Sequence, residues 1–173
     1  MRLNETPLLT AEQIQRRVAE LAEEVSRDFA VRELLLVAVL KGGLVFCADL
    51  MRWLTIPVSV DFIRARSYRE TGSTGRPEFV WLPEWPVTGR HVLIIEDILD
   101  TGRTAAGIVE RLEAERPAGL ALCALLDKPS RRETDIAADY VGFTIDNHFV
   151  VGYGLDYEER GRELPDIYIM ENA

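Results

Sequence analysis

The chain reads as an α/β protein with a central parallel sheet flanked by helices. Three observations predict this. Residues 34–40, 92–95 and 120–126 are short apolar runs, the composition of strands buried on both faces. Segments with helical periodicity lie between them, which predicts parallel strands joined by right-handed crossovers. At 173 residues, with 47% apolar and 28% charged side chains, the chain has the size and balance of one globular domain, 1–173.

Each element has its own local signal. Thr10-Ala11-Glu12-Gln13 reads as a capping box. Ile14, Val18, Leu21, Val25 and Phe29 then recur at helical spacing, so an amphipathic helix is predicted over about 11–29. The strand at 34–40 is broken by Gly42-Gly43, and 44–54 reads as a second helix. Residues 57–63 alternate in part through Val58, Val60 and Phe62 and predict a strand. The stretch 64–86 is rich in Gly, Ser, Thr and Pro, and 70–76 holds no core-forming residue, so 64–77 reads as a mobile surface loop. The strand at 92–95 precedes a helix over about 103–115, where Ala105, Ile108, Val109 and Leu112 keep the period. A strand at 120–126 follows, with short strand candidates at 140–143, 149–151 and 167–170.

Composition excludes several function classes. A net charge of −9 disfavours a nucleic-acid or anionic-membrane surface, because phosphate backbones need a basic face. Cys47 and Cys123 both lie in apolar runs without a Cys or His cluster, so they read as buried reduced thiols. Residues 1–10 hold no apolar leader, and the longest apolar runs fall far short of the ~20 residues that span a bilayer. A cytoplasmic protein is expected.

The densest chemistry lies in Val92-Leu93-Ile94-Ile95-Glu96-Asp97-Ile98-Leu99-Asp100-Thr101-Gly102-Arg103-Thr104. A buried strand gives way to acids and then to a turn with hydroxyls, a cation and a glycine free to adopt positive φ. Ligands of open α/β sheets bind at the carboxyl ends of such strands. A phosphate at Thr101–Thr104 would meet the free N–H groups and dipole of the helix that follows. Three carboxylates beside a phosphate make sense if they hold sugar hydroxyls, a metal ion or a proton in transfer. Asp100 alone also reads as the N-cap of that helix. Glu96 and Asp97, being adjacent, point to opposite faces if they lie on the strand.

This stretch resembles the phosphoribosyl-diphosphate signature of the type I phosphoribosyltransferases, and Glu96-Asp97-Ile98-Leu99-Asp100-Thr101-Gly102 is similar to its hypoxanthine-guanine branch. Leu40-Lys41-Gly42-Gly43, Ser67-Tyr68, Asp127-Lys128-Pro129 and Phe149-Val150-Val151-Gly152-Tyr153-Gly154-Leu155-Asp156-Tyr157 resemble the family's other motifs, in its order. Each is weak alone; together they are specific. The resemblance implies a type I phosphoribosyltransferase fold, with a core at about 30–145 and a small hood from the N-terminal segment and about 149–173. It implies transfer of phosphoribosyl from phosphoribosyl diphosphate to N9 of hypoxanthine or guanine, with magnesium as the cofactor.

The resemblance also implies roles for single residues. Asp100 stands beside N7 of the purine as general base or hydrogen-bond acceptor. Glu96 and Asp97 face the ribose hydroxyls, directly or through magnesium, with Asp97 favoured for direct contact. Thr101, Gly102, Arg103 and Thr104 form the 5′-phosphate pocket, with backbone N–H groups expected to outweigh the Arg103 side chain. Lys41 and Gly42 belong to a pyrophosphate loop with a cis bond between Leu40 and Lys41. Ser67 and Tyr68 belong to a lid over 64–77. Lys128 donates to the purine 6-oxo group, Phe149 stacks on the base, and the Val150 backbone meets the base edge. Asp156 approaches the pyrophosphate magnesium and Arg162 the pyrophosphate.

For Lys128 and 156–162 the residues alone read as charged surface, and His91 and His148 read as structural. A homodimer or homotetramer is expected, with no nucleic-acid or membrane partner. A phosphoribosyltransferase for another base, such as xanthine or a pyrimidine, stays open. So do an RNA-binding regulator on the same fold, which needs a basic face, and a plain phosphosugar-binding module, which leaves the purine-end motifs without purpose.

Overall fold

The computed structural model describes residues 2–66, 78–81 and 83–171. The capping box forms: Thr10 Oγ1 accepts from the Gln13 backbone at 3.3 Å, and Gln13 Oε1 accepts from the Thr10 backbone at 2.8 Å. The helix it starts, α1 (Ala11–Asp28), buries Ile14, Val18, Leu21, Ala22 and Val25, and Phe29 stands at its C-cap.

Strand β1 (Leu34–Val39) is buried along its whole length. It is followed by α2 (Gly43–Trp53), β2 (Val58–Arg66), β3 (Glu78–Trp81), β4 (His91–Leu99), α3 (Arg103–Glu113), β5 (Gly119–Asp127) and β6 (Tyr140–Thr144). These strands form one sheet in the order β3-β2-β1-β4-β5-β6. All pairings are parallel except β3 against β2. One core layer joins α1 and α2 to the sheet through Leu21, Phe46, Leu50, Leu36, Leu93 and Leu125. The other packs Ile108 and Leu112 of α3 on Leu35, Val37, Ile94 and Leu122. The alternation of sides follows from the strand's period of two.

Three elements differ from expectation. The strand predicted at 92–95 runs on to Leu99, because Glu96, Ile98 and Leu99 find ladder partners in Ala124, Leu126 and Asp127 of β5. Its pairing with β1 stops at Ala38 and Ile95, and the turn at Gly42-Gly43 after β1 meets β4 beside its acids. The edge strand β3 lies in the stretch read as irregular; β2 supplies its ladder. A 3-10 turn at Pro129–Arg131 also carried no apolar period to announce it. The proposed lid residues Ser67 and Tyr68 lie outside the described residues.

Two short strands, β7 (Val150–Val151) and β8 (Tyr168–Ile169), pair antiparallel, and bridges from Leu3 to Met170 and Leu9 to Ile167 add the N-terminal segment to them. His91 packs edge-on against Phe29 at 6.0 Å. Cys47 and Cys123 are buried and unpaired, and burial pushes the Cys47 thiol up to about 12.

Candidate active site

The carboxyl end of β4 leads into a left-handed turn. Gly102 has φ 83 and serves as the N-cap of α3 without a side-chain cap bond. A Cβ there would overlap Thr134 and Ile136, so both backbone conformation and space require glycine. The first turn of α3 holds no acid. A cavity of about 210 Å³ opens here between Glu96, Asp100, Thr101, Gly102 and Thr104. The Arg103 N–H donates to Thr101 Oγ1 at a long 3.4 Å; the other N–H groups of the first turn, the helix dipole and the Thr104 hydroxyl make the cavity suited to an anion. Arg103 points elsewhere: its guanidinium pairs with Glu133 at 2.6 Å.

Asp100 does not cap the helix, which settles one reading left open by the sequence. Its Oδ1 accepts from Arg131 Nε at 3.2 Å, and its carbonyl accepts from Arg132 Nη1 at 3.0 Å.

The two acids on β4 interact with each other through their side chains but differ in their other neighbours. Glu96 is only 7% exposed, and its Oε2 has no hydrogen-bond partner. Burial, reinforced by the charge of Asp97, holds its carboxyl well above the usual range. Burial raises Asp97 as well, opposed by hydrogen bonds and by the Arg162 charge. The Asp97 carboxylate lies against Gly42, where a Cβ would overlap it. Position 43 is also tight, since a Cβ would stand 2.7 Å from the Ile95 carbonyl oxygen.

The Leu40-Lys41 bond is cis, as the resemblance implied. Lys41 Nζ pairs with Glu159 Oε2 at 2.8 Å. Arg162 pairs with Asp156 at 2.8 Å, donates to the Gly154 carbonyl at 2.7 Å and touches Glu159 at 3.4 Å, while its buried Nε has no partner. Gly154, at φ 96, packs over the Gly42 carbonyl. Lys41, Asp97, Asp156 and Arg162 thus meet around one loop junction. Asp156 is engaged by Arg162 and by the Glu159 backbone at 2.8 Å. Among the described residues no group of three Asp, Glu, His or Cys side chains could hold a metal ion, so Glu96, Asp97 and Asp156 do not form a ready cage.

Lys128 corrects its surface reading. It is 6% exposed, and its backbone donates to Leu99 at 3.0 Å, which sets it beside the end of β4. Burial lowers its pKa, the nearby Asp100 charge raises it and Arg131 lowers it. Phe149 is 42% exposed, with its ring edge-on to Tyr157 at 5.8 Å. Val150 is buried and paired with Ile169. His148 is exposed.

The phosphoribosyl transferase domain family matches residues 6–158. A hypoxanthine phosphoribosyltransferase of Salmonella typhimurium is 43% identical over 156 residues, 88% of each chain. The chain belongs to the hypoxanthine-guanine phosphoribosyltransferase family. A hypoxanthine-guanine phosphoribosyltransferase of Bacillus subtilis is 41% identical, covering 98% of this chain and 94% of the relative. The fold agrees: a crystal structure of a hypoxanthine-guanine phosphoribosyltransferase from Bacillus anthracis superposes with a TM-score of 0.93 at 41% identity, covering 98% of this chain and 99% of the other.

Against this phosphoribosyltransferase frame, sequence reasoning missed Arg131, Arg132, Glu133 and Glu159. Each is a charged residue in a polar run, where nothing in the pattern separates an engaged side chain from a solvated one. Pro129 after a buried strand was the one available signal for a tight turn that brings the two arginines back to Asp100.

Proposed function

We propose that the chain transfers the 5-phosphoribosyl group of phosphoribosyl diphosphate to N9 of hypoxanthine or guanine, giving inosinate or guanylate and pyrophosphate. The observation that carries this is the placement of Asp100 and a buried Lys128 just past the adjacent carboxyl ends of β4 and β5, beside the anion cavity at α3. The 5′-phosphate takes the N–H groups of Thr101–Thr104. Lys128 donates to the 6-oxo group and rejects the amino group of adenine, which is itself a donor. The Phe149 ring offers an exposed face to the purine, and the Val150 backbone lies at the base edge. As the bond from C1′ to pyrophosphate breaks, its electron pair leaves with pyrophosphate. The N9 lone pair forms the new bond, and Asp100 takes the purine's proton.

Lys41, the backbone at Gly42 and Arg162 receive the pyrophosphate; Lys41 and Arg162 must first leave Glu159 and Asp156. Residues 149–171 and the N-terminal segment act as the hood. Glu96 and Asp97 face the ribose hydroxyls. The unpartnered Glu96 oxygen and two carboxyls that burial raises are a donor set that a cation or hydroxyls would satisfy. Glu96, Asp97 and, once released from Arg162, Asp156 would hold magnesium, which would supply charge neutralisation for the departing diphosphate.

A homodimer or homotetramer suits the exposed Leu44, Met51 and Trp53 on α2. A cytoplasmic place suits the absence, among the described residues, of any helix able to cross a membrane. The relatives named above are transferases, which disfavours the RNA-binding regulator reading. Incubation with phosphoribosyl diphosphate, magnesium and hypoxanthine or guanine should give nucleotide and pyrophosphate in equal amounts, and none in excess chelator. No nucleotide with either base would overturn the reading.

A further inference from the structure

We propose that Arg132 is a positioning residue for the transfer reaction: its guanidinium ties the carbonyl of Asp100 to the carboxylate of Asp127 and so fixes the distance between Asp100 and Lys128. The inference rests on the phosphoribosyl-transfer reading above.

Leu99 and Asp127 are the last ladder partners of β4 and β5. Beyond them the chains part. The β4 end turns into the phosphate loop, while the β5 end passes through Lys128 into the 3-10 turn. Of the two residues that must act on one purine, Lys128 still donates from its backbone to Leu99 of β4 at 3.0 Å, whereas Asp100 lies one residue beyond the last ladder pair. Arg132 extends the connection to Asp100. Its Nη1 donates to the Asp100 carbonyl at 3.0 Å, and its Nη2 donates to Asp127 Oδ1. The Arg132 and Asp127 side chains are only 15% and 17% exposed, so water screens the pair little. The Glu133 backbone donates to the Thr101 carbonyl at 2.9 Å, and Arg132 and Thr134 close the space under Gly102. The turn therefore braces the phosphate loop from below.

A fork is needed for this task. One acceptor lies just past β4 and the other at the end of β5, and guanidinium presents rigid donors from separate nitrogens, whereas an ammonium is a single point. Lysine can restore the charge but not the bridge. Loss of the bridge lets Asp100 drift, and a displacement of ~1 Å can cost on the order of 10²-fold in rate.

The test measures kcat and both KM values for wild type, Arg132→Gln, Arg132→Lys, Asp127→Leu and the double variant Arg132→Gln/Asp127→Leu. Arg132→Gln should lower kcat by about 10- to 100-fold with the KM for phosphoribosyl diphosphate within about threefold. Arg132→Lys should not restore the rate. Asp127→Leu, which removes both acceptor oxygens, should lose kcat in the same direction, and the double variant should be no worse than the poorer single one, as expected for partners in one unit. If Arg132→Gln does not fold, Asp127→Leu, which keeps a similar side-chain size, decides. Wild-type kcat in the folded Asp127→Leu protein, or full rescue by lysine, overturns the bridge. A folded Arg132→Gln protein that is merely less heat-stable at unchanged kcat does the same. A wild-type protein without transferase activity overturns this inference together with the reading beneath it, whereas an active wild type beside an unaffected Arg132→Gln variant overturns the inference alone.

Discussion

The two sides of the candidate site are held by different forces. The phosphate side, from Glu96 to Thr104, stands on the centre of the sheet. Its strand is buried, its glycine is fixed by packing, and its helix N-terminus is already open to an anion. The pyrophosphate side, from Lys41 to Arg162, is held by ion pairs: Lys41 to Glu159, and Arg162 to Asp156 and Glu159. Its backbone needs positive φ at Gly152, Tyr153, Gly154, Glu158, Glu159 and Gly161. In the proposed function, one side would recognise by geometry that folding has already set. The other keeps its cations occupied by internal carboxylates and would exchange them when a polyanion arrives. That difference suits a substrate whose phosphate end stays on the product while its pyrophosphate end departs.

Asp100→Asn should break the phosphate side at its most sensitive point, lowering kcat by roughly 10²- to 10⁴-fold. Because Gly102 and not Asp100 caps α3, and the Asp100 pair with Arg131 is half exposed, the melting temperature should move little. Near-normal turnover would remove Asp100 from the proton-transfer role.

Glu159→Gln should sharpen the contrast from the other side. It releases Lys41, the first cause of the lowered Glu159 pKa, and relieves Arg162. The KM for phosphoribosyl diphosphate should fall on the order of two- to threefold at low salt, the scale of an exposed ion pair, and the gain should fade at high salt. A rise in that KM would show that Glu159 organises the loop rather than competing with the substrate.

Lys128→Met should trade function for stability. Burial lowers the lysine's pKa, so the unfolded chain holds this proton more tightly than the folded one. Folding therefore loses stability as the pH falls from the ordinary lysine range through the lowered value, and the full cost is present at pH 7. Removing the amine should raise the melting temperature at pH 7, and the gain should shrink toward about pH 10. Equal melting curves at both pH values would contradict the burial of a charged amine.

The contrast between the sides also explains what the sequence made legible. The strands β1, β4 and β5 and the helix α3 announced themselves because apolar periodicity is the direct imprint of burial. Asp100, Thr101 and Gly102 were findable because they follow such a strand at once. The length of β4 was not, since Glu96 and Asp97 look like a strand end and only pairing with β5 extends it. Strand β3 rests on a ladder with β2 that leaves no pattern of its own. On the pyrophosphate side, residues 156–162 are equally consistent with solvated surface, and the pairs among Lys41, Glu159 and Arg162 span distant segments that no local signal links. Arg132 was hidden for the same reason.

The measurement closest to the central claim is the ratio of kcat/KM for hypoxanthine to that for adenine, in wild type and in Lys128→Met. The proposed donation from Lys128 to a 6-oxo group predicts a strong wild-type preference for hypoxanthine. Loss of one hydrogen bond to a charged donor predicts that the preference falls roughly 10- to 100-fold in the variant. A wild type that uses adenine as well as hypoxanthine, or a Lys128→Met variant that keeps the wild-type ratio, would contradict it.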